Sequence, residues 1–350
     1  MARGRFRTKA CIVLRGHVLN WPWRSRLERR RARGAATRDA VCAYLDRYVP
    51  EFLGMPYTPA ADAGQTAPYG SGQPVPGSPM QLVSDGSVQT TTDNLGQTAP
   101  GSPVQQPAPG DFCKERIFSI WLQGEQSAPD IVKACWRSVR ANSSRELVVL
   151  DSGSLGDWIE LPPHVTDKWR RGLIKPAHFT DICRVALLYR YGGYWMDATD
   201  FLPAELPEWI DDRDFFVYMS GERLRGWYAY IQNCFIRARR GNYLLALWLN
   251  AMLVYWSHED SAIDYFVHQL LFMKAVESDP RAAELFAAMP KIVQDPTHEL
   301  WFGNASKPFD PELFRSLTAA AAFQKTEYRS SDAVSPRPGS FADAMMKMYL

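Results

Sequence analysis

The sequence predicts an α/β fold with a mainly parallel central sheet, and three observations carry that expectation. Ile117–Leu122 and Leu147–Leu150 are short apolar runs, and between them Pro129–Ala141 repeats Ile131, Val132, Cys135 and Val139 at helical spacing. A strand–helix–strand order within so short a stretch is a parallel crossover unit. The second observation is the segment from Pro176 to Leu202, PAHFTDICRVALLYRYGGYWMDATDFL, which reads as a helix, a Gly-Gly turn, a short buried strand and a cluster of acids. The third is the run of apolar segments that follows. Phe215–Tyr218 and Tyr228–Phe235 read as strands, and Tyr243–Ser257 and Asp264–Val276 as helices.

Each part of the 350-residue chain fits this scheme in turn. Residues 1–54 begin as a basic arm, with Trp21 and Trp23 set among arginines, and end in an amphipathic stretch from Asp39 to Tyr48. The arm 1–34 has two readings that composition leaves open: a segment lying on an anionic membrane surface, or a solvated arm. Residues 55–110 are rich in Pro, Gly, Ser, Thr and Gln and repeat Gly-Gln-Thr-Ala-Pro at 64–68 and 96–100. Such a tract cannot bury enough apolar surface to offset its ordering entropy, so a disordered linker is expected. The folded domain is expected over 111–330, and a short amphipathic tail over 331–350.

Composition excludes several classes. A net charge of +2 does not advertise a nucleic-acid binder. No apolar run approaches transmembrane length, and Ala10–Leu14 is too short for a secretory signal core. The six cysteines show no metal or redox spacing and read as reduced thiols. A cytoplasmic protein is expected, held at the inner face of the membrane if the basic arm docks there.

The chemistry concentrates in the Pro176–Leu202 segment. Asp181 and Arg184 stand three residues apart on one helix face. Gly192-Gly193 ends that helix and returns the chain, and Asp197 and Asp200 follow where the Tyr194–Met196 strand runs out. Burying such charges without partners is costly, which points to a cation and an anionic, polyhydroxylated ligand. An intrahelical ion pair is the plainer reading of Asp181 and Arg184, worth a few tenths of a kcal/mol (~0.3). Asp200 reads equally as a metal ligand or a strand-end cap.

These residues resemble the central motif of the bacterial capsular polysaccharide synthesis proteins, a branch of glycosyltransferase family 32. The matching positions are Thr180-Asp181 with Arg184, Tyr191-Gly192-Gly193 with Trp195, and Asp197-Ala198-Thr199. Ile117–Gly124 resembles the family's first strand, while Asn233 and Ile263–Phe266 resemble later blocks. The likeness runs from Ile117 to about Tyr328, and large clostridial glucosylating toxins share the layout.

The resemblance implies a GT-A-like nucleotide-sugar transferase fold. It implies metal-dependent sugar transfer from a nucleotide-diphosphate donor, UDP-sugar favoured, to a glycan or lipid-linked acceptor with retention of configuration. Asp181, Arg184 and Asp197 are the expected catalytic residues. Trp121, Gln123, Asp181, Arg184, Gly192 and Gly193 are expected at the donor, with Trp121 stacked on the base. A core tryptophan is the alternative for Trp121. Mn²⁺ or Mg²⁺ is expected on Asp197, Thr199 and Asp200, because carboxylates are hard ligands suited to a cation shared with a diphosphate. His178, Asn233, Asp264, His268 and His298 are lesser candidates, and a buried, satisfied ring is an equal reading of His178. Thr180 reads as the cap of the motif helix. Thr199 departs from the strict Asp-x-Asp pattern, which motivates a rival reading: a catalytically degenerate polysaccharide-binding or regulatory relative.

Overall fold

A computed structural model describes residues 32–57, 115–221 and 227–350. The basic arm up to residue 31 and the expected linker from 58 to 110 lie outside the described residues. Among the described residues the central sheet has five strands: β1 (Arg116–Ile120), β2 (Glu146–Leu150), β3 (Gly193–Met196), β5 (Phe215–Met219) and β6 (Ile231–Ala238). A separate two-stranded ribbon pairs β4 (Asp200–Phe201) with β7 (Gln324–Lys325). The sheet order is β2-β1-β3-β6-β5. β1 runs parallel to both β2 and β3, and β6 alone runs against its neighbours. The predicted α/β class and mostly parallel sheet are therefore observed.

The apolar periods explain the layers. Helix Asp130–Asn142 buries Ile131, Val132, Cys135, Trp136 and Val139, and the Trp136 indole donates to Ser119 Oγ on β1 at 3.0 Å. Helix Tyr243–His258 is apolar on every side and buried from Leu244 to Trp256, as expected of a helix covered all round. Asn242 caps it, its side-chain oxygen accepting from the amides of Leu244 (3.0 Å) and Leu245 (3.3 Å). The motif helix Pro176–Tyr191 packs against that helix and against β1, β3 and β6.

Four boundaries differ from expectation. The strand read as Tyr228–Phe235 begins at Ile231, because Tyr230 adopts a left-handed backbone (φ 63°) that breaks the extended run. The helix read from Asp264 begins at Val267, because the Asp264 carboxylate accepts the Phe266 amide at 2.7 Å in a tight turn. The amphipathic stretch of the N-terminal region is longer than expected, spanning 32–45 and continuing through Val49–Leu53. Its Val41, Leu45, Tyr48 and Phe52 are buried in the main core. The expected tail forms helix Phe341–Tyr349, which buries Phe341, Ala342, Met345 and Met346 in a second core beside helix Asp130–Asn142. Both flanking segments thus belong to the packed body.

Candidate active site

Parallel strands align their carboxyl ends, and in open α/β sheets ligands bind outside that edge. Here Trp121 follows β1 and Asp197 follows β3 on that edge, at a cavity of about 830 Å³. Asp181, Arg184, Asn233, Gln123 and Thr199 also line it.

The three charged groups on which the sequence argument turned do converge. Arg184 Nη2 lies 3.1 Å from Asp181 Oδ1 and 3.3 Å from Asp197 Oδ1. Arg184 Nη1 donates to the Asn233 carbonyl at 2.5 Å, and the guanidinium lies 4.7 Å from the centre of the Trp195 ring. Asn233 Nδ2 donates to Asp181 Oδ1 at 2.8 Å. The intrahelical ion pair is present, but it is no weak surface pair, since the Arg184 and Asp181 side chains are only 7% and 10% exposed and share further partners.

His268 completes this cluster from helix Val267–Ser278. Trp256 Nε1 donates to His268 Nε2 at 2.8 Å, so Nε2 must be the accepting nitrogen. The proton then sits on Nδ1, which donates to Asp181 Oδ2 at 3.0 Å. Burial pushes the His268 pKa down, and the neighbouring Asp181 only partly restores it, so the ring is neutral. Burial by itself would raise Asp181, but Arg184 and His268 outweigh it and hold the carboxylate below its ordinary range.

Asp197 is fixed by three donors. The Trp195 indole reaches Oδ1 at 2.8 Å, Arg184 shares that oxygen, and Lys325 Nζ lies 2.7 Å from Oδ2. Burial again opposes ionisation, and Lys325 followed by Arg184 overcomes it, so Asp197 is held low. Lys325 also lies 3.0 Å from Asp200 Oδ1, beneath the cavity. This placement follows from register: Asp200 is the direct cross-strand partner of Lys325 in the ribbon. The chain turns between Asp197 and Asp200, and Asp200 Oδ2 accepts the Asp197 amide at 3.2 Å. Asp200 is thus a strand-end cap and not a cavity-lining group. Burial, with negative Asp197 adding to it and Lys325 opposing, raises its pKa to about 7.

The donor set does not fit a divalent cation as it stands. The ammonium of Lys325 lies between the carboxylates of Asp197 and Asp200, the Asp200 side chain is fully buried, and Thr199 offers one neutral hydroxyl. Among the described residues, no three His, Cys, Asp or Glu side chains gather into a metal-holding group.

Other expectations divide. Gly192 and Gly193 do not line the cavity; they open β3, whereas Asp197 follows its far end. Their role is close packing. A Cβ on Gly193 would lie 2.4 Å from the Arg116 carbonyl oxygen, and one on Gly192 would lie 2.6 Å from the Arg240 amide. Thr180 is not a cap, since the helix starts at Pro176; it faces the cavity instead. Trp121 meets Tyr328 edge to face at 5.0 Å and keeps one side toward the cavity. His178 does not line the cavity and bonds the Tyr265 carbonyl at 3.1 Å. Asp264 orders its loop, accepting the Tyr228 hydroxyl at 3.0 Å, while its neighbours Tyr265 and Phe266 reach the cavity. His298 lines the cavity, stacked on Phe302, and burial lowers its pKa to about 4.

Sequence reasoning missed Lys325, Glu327, Tyr328 and Arg329, all of which line the cavity. The alternation Lys-Thr-Glu-Tyr-Arg over 325–329 was the available signal, since charges at every second position of an extended segment share a face.

A charged cavity at the carboxyl edge of a mostly parallel sheet defines an α/β protein built to hold a polar ligand. The chain belongs to the capsular polysaccharide synthesis protein family, whose model matches residues 102–345. O-glycosyltransferase braB of Annulohypoxylon truncatum is 32% identical over 100 residues, which cover 27% of this chain and 24% of that protein. Glycosyltransferase afumC of Aspergillus fumigatus is 29% identical over 125 residues, covering 32% and 31%. The chain thus spans about a quarter to a third of the length of these relatives. Among solved structures, PaToxG Glycosyltransferase aligns with a TM-score of 0.35 and 12% identity, covering 67% of this chain and 87% of that one. No described helix is long and apolar enough to cross a membrane.

Proposed function

We propose that this protein is a glycosyltransferase of GT-A type, moving a hexose from a nucleotide-diphosphate donor, UDP-sugar favoured, to a hydroxyl of a glycan or lipid-linked acceptor. Synthesis of a capsular or other surface polysaccharide is the setting that the family's description suggests, and placement at the cytoplasmic face of the membrane is part of the proposal. The observation that carries the reading is the convergence of Asp181, Arg184 and Asp197 at one cavity beside Trp121. A large flat indole suits a nucleobase. The cations lining the cavity, Lys325, Arg329 and Arg184, suit a diphosphate.

Asp181 Oδ1 already accepts from Asn233 and Arg184, and Oδ2 accepts from His268. One lone pair on Oδ2 is left, enough for one sugar hydroxyl. In the transfer, the bond from the anomeric carbon to the phosphate oxygen breaks and its electron pair leaves with the diphosphate. A bond forms from the acceptor oxygen to the anomeric carbon. The acceptor attacks from the face the diphosphate leaves, so the configuration is retained and the acceptor's proton goes to the departing phosphate without a side-chain base. The gathering charge on the phosphate is met by fixed cations in a half-enclosed site, where they act more strongly than in water.

The test is a panel of nucleotide sugars assayed for hydrolysis and transfer with the full chain and with Asp197→Asn. At least one donor should turn over in the wild type. Asp197→Asn should lose that turnover while remaining folded, because Arg184 keeps Asp181 and Lys325 keeps Asp200. Full activity in Asp197→Asn would reject the assignment. Binding without turnover in the wild type would favour a degenerate glycan-binding relative.

A further inference from the structure

We propose that Lys325 is the built-in cation of this site, holding the donor's diphosphate so that nucleotide binding needs no divalent metal. The inference rests on the transferase reading and adds to it a residue and an ion requirement.

Four observations lead there. Lys325 Nζ lies 2.7 Å from Asp197 Oδ2 and 3.0 Å from Asp200 Oδ1, the place between two acids where a metal was expected. Its position is built in by the ribbon register opposite Asp200. The next residue locks it, with the Thr326 amide and hydroxyl donating to the Thr199 carbonyl at 2.8 and 2.9 Å. The side chain is 16% exposed and lines the cavity, so Lys325 is ordered by its acids and still borders the ligand space.

An ammonium has three donors. Asp197 accepts one, Asp200 lies against the ammonium as an ion pair at 3.0 Å, and donor capacity remains for a phosphate oxygen. Arg329, four residues further along the same segment, also lines the cavity and offers a second cation. A dication bound to Asp197 would have to displace the ammonium or sit against it, and either costs electrostatic energy. Thr199 fits the same picture. Where the resident cation is a lysine already flanked by two acids, a third acid at position 199 has no charge left to neutralise.

The experiment is calorimetric titration of UDP into the full chain, stripped of metals, in EDTA and separately in Mn²⁺. Wild type should bind UDP with dissociation constants within about threefold in the two buffers. Lys325→Met should weaken UDP roughly 30-fold, as expected for a lost charge-assisted bond, and Lys325→Arg should retain most of the affinity. UMP separates a phosphate contact from a merely structural one. The UDP-to-UMP affinity ratio should fall toward one in Lys325→Met, whereas a merely structural effect would weaken both nucleotides alike and leave the ratio unchanged. If Lys325→Met fails to fold, the two wild-type buffers still decide. Wild-type binding only in Mn²⁺, or unchanged UDP affinity in Lys325→Met, overturns the Lys325 inference and leaves the transferase reading standing. Absence of binding by UDP, GDP, CDP and ADP in both buffers overturns both.

Discussion

Arg184→Met should cost about 4 kcal/mol of stability, while the same change at Arg170 should cost under about 0.5 kcal/mol. The two arginines make a matched pair. Each sits three residues from an aspartate on a helix, with Arg170 2.9 Å from Asp167 and Arg184 3.1 Å from Asp181. They differ in burial: the side chains are 73% and 60% exposed in the first pair, 7% and 10% in the second. Water screens the first pair and takes up its charges when it is cut. Removing the second guanidinium strands the Asn233 carbonyl and takes the shared cation from two carboxylates. Breaking a buried pair from one side typically costs about 3–5 kcal/mol. His268 and Asn233 still donate to Asp181, and Lys325 and Trp195 to Asp197, which keeps the loss from going higher. Urea unfolding at a constant slope would read the difference as a shift in midpoint. If Arg184→Met fell within about 1 kcal/mol of Arg170→Met, the buried-cluster argument would be refuted and the plain intrahelical pair restored.

Two further outcomes follow from the geometry. Burial holds His298 at about 4, below its ordinary 6.5, so the unfolded chain takes up the proton first as pH falls. Stability carried by His298 is therefore complete above pH 6.5 and declines toward pH 4; between pH 7 and 5 the loss is about 2 kcal/mol. His298→Gln should reduce the fall in stability between those two pH values by that amount, and an unchanged pH dependence would contradict the buried placement. The glycines offer a contrast in thermal melts. Gly193→Ala puts a Cβ 2.4 Å from the Arg116 carbonyl at φ +91° and should destabilise by about 3 kcal/mol. Gly303→Ala, on helix Glu299–Asn304 with nothing within 4 Å of the new methyl, should stabilise by about 0.5–1 kcal/mol. Equal melting shifts for the two would discredit both placements.

The parts of the fold that sequence made legible are those whose signal is local. The helix Pro176–Tyr191, its Gly-Gly return and the strand to Met196 follow from periodicity and from glycine's backbone freedom, and they bring Asp181, Arg184 and Asp197 to one sheet edge. What stayed hidden depends on contacts between distant residues. Lys325 reaches Asp197 across 128 positions of sequence, and the alternation over 325–329 marks a face without naming the distant residue that face meets. Asp200 could be weighed but not placed, because a cap and a ligand demand the same residue type at the end of a strand. The indole of Trp256, which fixes the proton of His268, lies on a helix so uniformly apolar that a functional hydrogen bond leaves no trace in its pattern.

The charges of the site form one alternating line: Asp181, Arg184, Asp197, Lys325, Asp200. Neutral His268 and Asn233 close its buried end, and the cavity opens beside its middle. Each interior member has an opposite charge on both sides, so the arrangement tolerates burial that no single pair would. It also holds every side chain before a ligand arrives, which is what electrostatic preorganisation requires. With the Asp200 pKa raised to about 7, the line carries two full negative charges and part of a third against two cations at neutral pH. Under the proposed transferase reading, a diphosphate would go to the donors of Lys325 and Arg329, with Asp197 left to meet sugar hydroxyls, since a phosphate set against that carboxylate would face like charge.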